Sequence, residues 1–149
     1  MAHAVETSIL NKIRDLSRIP DWVAGFAAEQ GLSDDVVFGV NVALDEMLSN
    51  IIKYGYADDA IHEIRVRLSV AGQVVVAEIE DDGEPFDPCA AAPVNVDAPL
   101  EHRKVGGLGI HIVRTLCTEV GYARVNGRNR LVMKMLLEPN TRKGIHGTQ

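Results

Sequence analysis

The amino-acid sequence predicts an α/β (α+β) fold, in which helices and a sheet form a two-layer sandwich. Residues 34–54 carry apolar side chains at helical spacing, which is typical of an amphipathic helix. Residues 63–70 alternate strictly between apolar and polar side chains, and a second apolar run follows at 74–81 after a short turn. The dipeptide Asn126-Gly127 lies between two further apolar runs and is a strong hairpin signal.

Length and composition favour one globular domain. The chain has 149 residues, 46% of them hydrophobic, and we expect a single domain over 1–138 with a flexible polar tail over 139–149. The net charge of −6 argues against direct contact with nucleic acid. Because the sequence shows neither a signal pattern nor a membrane-length apolar run, we expect a cytoplasmic protein without membrane contact. Cys89 and Cys117 are expected to be reduced thiols.

The first part of the chain is expected to contain a strand and a short helix. Val5 to Ile13 is a candidate opening strand. Asp21 to Gln30 follows Pro20 and precedes Gly31, which are typical of the beginning and the end of a helix.

The central helix is expected to begin after Ser33, an N-cap residue, and to end at Gly55. Its side chains Glu46, Asn50 and Lys53 follow one another at i, i+4 and i+7, so they line one side of the helix. That side borders the apolar stripe Val36, Val40, Leu44, Met47, Leu48 and Ile51. An acid and an amide one turn apart could hold a metal, activate a hydroxyl group or bond to each other.

The predicted hairpin of Glu63–Val70 and Val74–Asp81 ends with a carboxylate. Asp81 shares its face with the apolar residues at 75, 77 and 79. If that face is buried, the carboxylate needs hydrogen-bond donors, and the neighbouring sequence offers no obvious cation. Alternatively, Asp81 caps the turn at Gly83.

The stretch from Asp87 to Val105 has no sustained period, so it is either a functional lid or disordered. Gly106-Gly107-Leu108-Gly109 follows and is a candidate phosphate cradle that matches neither the P-loop nor the dinucleotide fingerprint. Apolar residues then recur at helical spacing at Ile110, Val113, Leu116, Cys117 and Val120. Tyr122–Val125 and Leu131–Leu137 are predicted to form the last hairpin.

Three motifs occur in a characteristic order: Glu46-x-x-x-Asn50 on a helix, Asp81-x-Gly83-x-x-Phe86 after a strand, and the glycine run 106–109 before a helix. Together they resemble the Bergerat-fold (GHKL-type) ATPases. Within that superfamily, residues 5–138 are most similar to the bacterial anti-sigma factor serine/threonine-protein kinases of partner-switching systems. The resemblance implies a mixed, mostly antiparallel sheet with helices on one face, and ATP or ADP with Mg²⁺ as ligands.

The resemblance also implies roles for individual residues. Asn50 would bind the Mg²⁺ ion, and Glu46 would be the general base. Asp81 would accept a hydrogen bond from the adenine amino group, beside a backbone kept close by Gly83. The remaining residues of the implied nucleotide site are Lys53, Phe86, Lys104, Gly106, Gly107, Leu108 and Gly109. For Lys104, as for its neighbour Arg103, a solvated charge in the lid is the alternative.

Two positions depart from the family pattern. Tyr54 stands where a His is common, and Pro85 stands where a second Gly is common in the turn. Pro85 stiffens the turn and removes an amide donor. These departures affect the expectation of catalysis more than that of nucleotide binding.

The implied function is an ATP-dependent serine-protein kinase that phosphorylates a small STAS-like antagonist protein and sequesters a sigma factor or similar regulator, acting as a homodimer. The alternative is a nucleotide-sensing module that binds a partner without phosphorylating it. A sensor histidine kinase is disfavoured because a long paired-helix segment has no room before residue 43. A plain structural domain would have to match three motifs by chance.

Overall fold

The computed structural model describes residues 3–88 and 107–137. Its strands are β1 Ala4–Leu10, β2 Glu63–Ala71, β3 Val74–Asp81, β4 Glu119–Val125 and β5 Arg128–Leu136. Its helices are α1 Ile19–Gln30, α2 Asp34–Tyr54 and α3 Gly107–Leu116, and a 3₁₀ helix, Ile13–Arg18, precedes α1.

The five strands form one sheet in the order β1-β2-β3-β5-β4. All four pairings are antiparallel, and Ile79 of β3 lies between Val66 of β2 and Leu131 of β5. The expected mixed character of the sheet is therefore not found among the described strands. The predicted two-layer α+β architecture is confirmed.

One face of the sheet is buried under the helices. Along β3 the side chains alternate between buried and half-buried positions, with the buried set at 75, 77, 79 and 81. Helix α2 supplies most of the opposing surface, including Ala43, Leu44 and Leu48, none of which is measurably exposed. Helix α3 adds Ile110 and Val113. The opposite face carries charged pairs such as Arg67 with Glu78.

The predicted end of the first helix and both predicted ends of α2 are confirmed. The Ser33 hydroxyl accepts a hydrogen bond from the Val36 amide at 3.3 Å and so caps α2. Gly31 ends α1 with a φ of 66°, a left-handed conformation that glycine adopts readily. Helix α1 begins at Ile19, two residues before the expected start at Asp21.

The opening strand and the last helix are shorter than expected. Strand β1 ends at Leu10 and not at Ile13, because the Asp15 carboxylate accepts a hydrogen bond from the Leu10 amide and the chain turns into the 3₁₀ helix. Helix α3 ends at Leu116, so the assignment of Val120 to it was wrong. The Thr118 amide donates to the Lys134 carbonyl, and the chain has already joined the sheet there.

The remaining predictions about organisation fall partly outside the structure. The expected lid beyond Pro88, Cys89 and the expected tail lie outside the described residues. In the ranges that are described, no helix is long and apolar enough to cross a membrane.

Candidate nucleotide-binding site

A cavity of about 390 Å³ lies between α2, the turn after β3 and the strands β4 and β5. That volume suits a small organic ligand. Its walls are mostly apolar, with a few polar groups that come from separate elements. The lining residues are Met47, Asn50, Ile51, Tyr54, Gly55, Asp81, Glu84, Pro85, Phe86, Pro88, Tyr122, Asn129 and Leu131.

Glu46 and Asn50, which the sequence places one turn apart, both lie beside the first turn of α3. A β-carbon added to Gly109 would overlap the Oε2 atom of Glu46 and would lie 3.7 Å from the Nδ2 atom of Asn50. A side chain at position 109 would therefore displace the Glu46 carboxylate. The carboxylate, the amide and Gly109 of the glycine run thus lie together where α2 meets α3.

Asn50 has the chemistry of a magnesium ligand. Its Nδ2 atom is buried and has no hydrogen-bond partner within residues 3–88 and 107–137, so this nitrogen is not committed to another group. The described residues contain no cluster of three acidic, His or Cys side chains suited to a metal ion. Mg²⁺ commonly takes one or two protein oxygens and completes its shell with phosphates and water. Asn50 fits such a site.

Asp81 is buried at the end of β3, with 3% of its surface exposed. Its Oδ1 atom accepts hydrogen bonds from the Gly83 amide at 2.8 Å and from Asn129 Nδ2 at 3.0 Å. The expectation that Asp81 caps the Gly83 turn is therefore confirmed. Burial raises the pKa of the Asp81 carboxyl above its usual value, and the hydrogen bonds from Asn129 and Gly83 partly counteract that rise.

Gly83 and Gly55 bring the turn after β3 against the end of α2. A β-carbon at Gly83 would overlap the Gly55 carbonyl oxygen and would lie 2.9 Å from Asp81 Oδ1. The same Gly55 carbonyl accepts a hydrogen bond from the Glu84 amide at 2.7 Å. Arg124 of β4 donates to the Gly83 carbonyl at 2.7 Å. The turn is thus held by the Gly55 backbone on one side and by the Arg124 side chain on the other.

The structure brings some of the other predicted residues to the cavity and leaves others away from it. Phe86 lines the cavity with about half of its surface exposed. Lys53 is exposed and is not among the lining residues, because its position on α2 faces solvent. Gly107 and Leu108 begin α3. Lys104 and Gly106 lie outside the described residues.

The two departures from the family pattern, Tyr54 and Pro85, both line the cavity. Two further polar lining residues, Asn129 and Tyr122, did not figure in the sequence prediction. The inward period of β5 at Leu131, Met133 and Met135 extends back to residue 129, and this alternation could have identified the buried Asn129.

A second polar cluster lies next to the turn after β3. The His62 ring contacts Asp58 at 2.8 Å through Nε2 and Asp82 at 3.1 Å through Nδ1, and it stacks on Tyr56. The hydrogen bond that the ring donates to Asp58 is the main cause that raises the pKa of His62. Burial, together with the charges of Asp81 and Asp82, raises the pKa of the Tyr56 hydroxyl. This cluster connects the α2–β2 loop to the residue that follows Asp81.

Known proteins are similar to this chain in sequence. Residues 9–135 match the family model described as the histidine kinase-like ATPase domain. The serine-protein kinase RsbW of Bacillus cereus (strain AH820) is 24% identical over 136 residues, which cover 89% of this chain and 84% of that protein. RsbW of Bacillus thuringiensis (strain Al Hakam) matches with the same identity and coverage.

Two solved structures show the same fold. The structure of the RsbU and RsbW domains of Rv1364c from Mycobacterium tuberculosis has a TM-score of 0.65 and 18% identity, covering 91% of this chain. A blue-light activated histidine kinase of Erythrobacter litoralis has a TM-score of 0.55 and 18% identity, covering 74% of this chain. This chain spans about a third of each of those chains, 32% and 33% respectively.

The match over most of the chain defines its class: the protein belongs to the family of histidine kinase-like ATPase domains. The predicted resemblance to GHKL-type ATPases and to the bacterial anti-sigma serine kinases is confirmed by the relatives named RsbW.

Proposed function

We propose that this protein is an ATP-dependent serine-protein kinase and anti-sigma-type regulator, which phosphorylates a small STAS-like antagonist and sequesters a sigma factor or a similar regulator. The observation that carries the proposal is the convergence of Glu46 and Asn50 on the first turn of α3, beside the cavity that Asp81 lines. Two relatives bearing the name serine-protein kinase support the choice of reaction.

The cavity suits a nucleobase. Met47, Ile51 and Leu131 provide apolar surfaces for a planar ring. Asp81, ionised, accepts a hydrogen bond from the exocyclic amino group of adenine. The close backbone packing at Gly83 keeps the turn near the base.

The first turn of α3 suits the phosphates. The amide groups at a helix N-terminus have no partners within the helix, and the helix dipole favours negative charge there. Gly107 and Gly109 in this turn allow a ligand to approach the backbone closely.

Asn50 would hold Mg²⁺ through its amide oxygen, and the bound ion would neutralise charge on the transferred phosphoryl group. Glu46 takes the proton from the serine hydroxyl of the protein substrate. The contact with Gly109 orients its carboxylate towards the phosphate end of the site. Transfer of the phosphoryl group depends mainly on such positioning.

The second candidate is a nucleotide-sensing module that binds its partner without phosphorylating it. Tyr54 and Pro85, the departures from the family pattern, both line the cavity and favour this alternative. The two functions differ in what Glu46 must do. If the protein only captures its partner, Glu46→Ala should retain nucleotide-dependent capture and show no loss of function.

Titration calorimetry with ADP tests the nucleotide site. In Asp81→Asn, the side-chain oxygen must still face the Gly83 and Asn129 donors, so the new amino group faces the adenine amino group. ADP affinity should fall on the order of tenfold to a hundredfold. The exposed Asp59→Asn is the matched control and should bind ADP like the wild type. Equal ADP affinity in Asp81→Asn would contradict the assignment.

A further inference from the structure

Asn129, at the beginning of β5, is buried with 7% of its surface exposed. Its Nδ2 atom donates to Asp81 Oδ1 at 3.0 Å and to the Glu84 carbonyl at 2.8 Å. Its Oδ1 atom accepts a hydrogen bond from the Tyr122 hydroxyl of β4. One amide thus connects the end of β3, the turn after it and the neighbouring strand.

These contacts leave the amide of Asn129 only one orientation. A side-chain amide group has two hydrogens on nitrogen and only acceptor sites on oxygen. The two acceptors, Asp81 and Glu84, require the nitrogen, and the Tyr122 hydroxyl donates to the oxygen. Turning the amide over would set its oxygen against a carboxylate and a carbonyl at these distances.

The two carboxylate oxygens of Asp81 differ in their hydrogen bonds. Both bonds to Asp81, from Gly83 and from Asn129, end on Oδ1. No hydrogen bond reaches Oδ2 from the residues that the structure describes. Because Asp81 lines the cavity, Oδ2 is left as the acceptor for a ligand.

We propose that Asn129, oriented by Tyr122, is the positioning residue for nucleobase selectivity: it keeps one Asp81 oxygen as an acceptor, so the cavity selects a 6-aminopurine over a 6-oxopurine. This inference rests on the proposed function, since it concerns the base of the bound nucleotide. A 6-oxopurine presents a carbonyl oxygen to the carboxylate and is repelled, whereas a 6-aminopurine presents a donor.

The ionisation of Asp81 supports the same role. Among the described residues, Asp82 raises the pKa of Asp81, Arg124 of β4 lowers it, and the charge of Asp81 acts on Tyr56 after α2. The bond from Asn129 lowers the pKa of Asp81 more than the Gly83 amide does. Replacing that amide by a carboxylate therefore raises the pH at which Asp81 becomes protonated.

The experiment compares ADP and inosine diphosphate by titration calorimetry between about pH 5 and pH 8. Asn129→Asp keeps the shape of the side chain and removes the donor. Asn126→Asp, on the exposed turn of the same hairpin, adds the same charge and is the control. Asn129→Asp should reduce the ratio of ADP affinity to inosine diphosphate affinity on the order of tenfold. The pH below which its ADP affinity falls should be higher than in the wild type and in the control.

Tyr122→Phe keeps the ring in the cavity wall and frees the Asn129 oxygen, so it tests the inference even if Asn129→Asp does not fold. It should also reduce the ratio of ADP affinity to inosine diphosphate affinity, by a smaller factor than Asn129→Asp does. Equal losses for both nucleotides, with an unchanged pH dependence, would mean that Asn129 is merely structural and would overturn the inference. A wild type that prefers ADP together with unaffected variants would overturn the inference alone. A wild type that binds neither nucleotide would overturn the proposed function and the inference with it.

Discussion

The Oε2 atom of Glu46 occupies the place that a β-carbon on Gly109 would take, where the middle of α2 meets the first turn of α3. The group that a β-carbon would displace is the end of a flexible side chain and not the backbone. The contact therefore determines where the Glu46 carboxylate lies, while the packing of the two helices depends on it much less.

Gly109→Ala should consequently separate activity from stability. Replacing glycine by alanine within a helix raises helix propensity, so the free energy of unfolding should be unchanged or rise by up to about 1 kcal/mol. Displacement of Glu46, the proposed general base, should slow phosphoryl transfer on the order of a hundredfold. Urea unfolding and single-turnover transfer measure the two effects. Gly25→Ala, with no atom within 4 Å of the added carbon, is the control. A fully active Gly109→Ala would disprove the role of this contact.

Gly83→Ala should have the opposite profile, because the atom it would meet is the backbone carbonyl of Gly55. The backbone cannot move away without breaking the hydrogen bond that the Glu84 amide donates to that carbonyl. We expect a loss of about 1–3 kcal/mol in the free energy of unfolding, together with weaker ADP binding. Gly121→Ala, which has open space around the added carbon, should not be destabilised. A Gly83→Ala variant as stable as the wild type would contradict the packing described for this turn.

Asn50→Ala should remove the dependence of ATP affinity on Mg²⁺. It also removes a buried nitrogen atom that has no partner in the described part of the chain, and it improves helix propensity, so the free energy of unfolding should rise by roughly 0.5 kcal/mol. The matched control is Asn41→Ala, on the same helix, whose side-chain oxygen is also buried without a partner but lies outside the cavity. The measurement is ATP titration with Mg²⁺ and with a chelator. Equal enhancement by Mg²⁺ in Asn50→Ala would show that another group holds the ion.

His62 should make stability depend on pH. Its folded-state pKa lies above the unfolded value of about 6.5, chiefly because of the hydrogen bond to Asp58. A raised pKa means that the contribution is fully present below the unfolded pKa and is lost as the pH rises through the folded pKa. His62→Asn should therefore destabilise the protein more at about pH 6 than at about pH 9. Urea unfolding at both pH values measures this, with the exposed His111→Asn as control. An equal loss at both pH values would rule out the charged bridge.

The parts of the fold that depend on local pattern could be predicted from the sequence. The cap at Ser33, the turn at Asn126-Gly127 and the inward face of β3 each follow from a few neighbouring residues, and the structure confirms them. The end of α3 could not be predicted in this way. Val120 continues the helical spacing, but pairing with β5 begins at Glu119, and tertiary hydrogen bonds override the pattern.

The candidate site was predictable in part. The i, i+4 spacing of Glu46 and Asn50 sufficed to place them on one side of α2. The side-chain donor to Asp81 could not be predicted, because Asn129 is 48 positions away and meets Asp81 only through the pairing of β3 with β5. The contact between Gly55 and Gly83 could not be predicted either, because a glycine that ends a helix has the same local sequence pattern whether or not another segment packs against it.

The most direct test of the central claim is the intact mass of a serine-bearing antagonist domain from the same genome after incubation with this protein, ATP and Mg²⁺. The Glu46→Ala variant, tested in parallel after its ADP affinity is shown to match the wild type, is the control. We expect the antagonist to gain one phosphate with the wild type and none with Glu46→Ala. An unmodified antagonist, in a sample shown to bind both ATP and the antagonist, would contradict the kinase assignment and favour the nucleotide-sensing module.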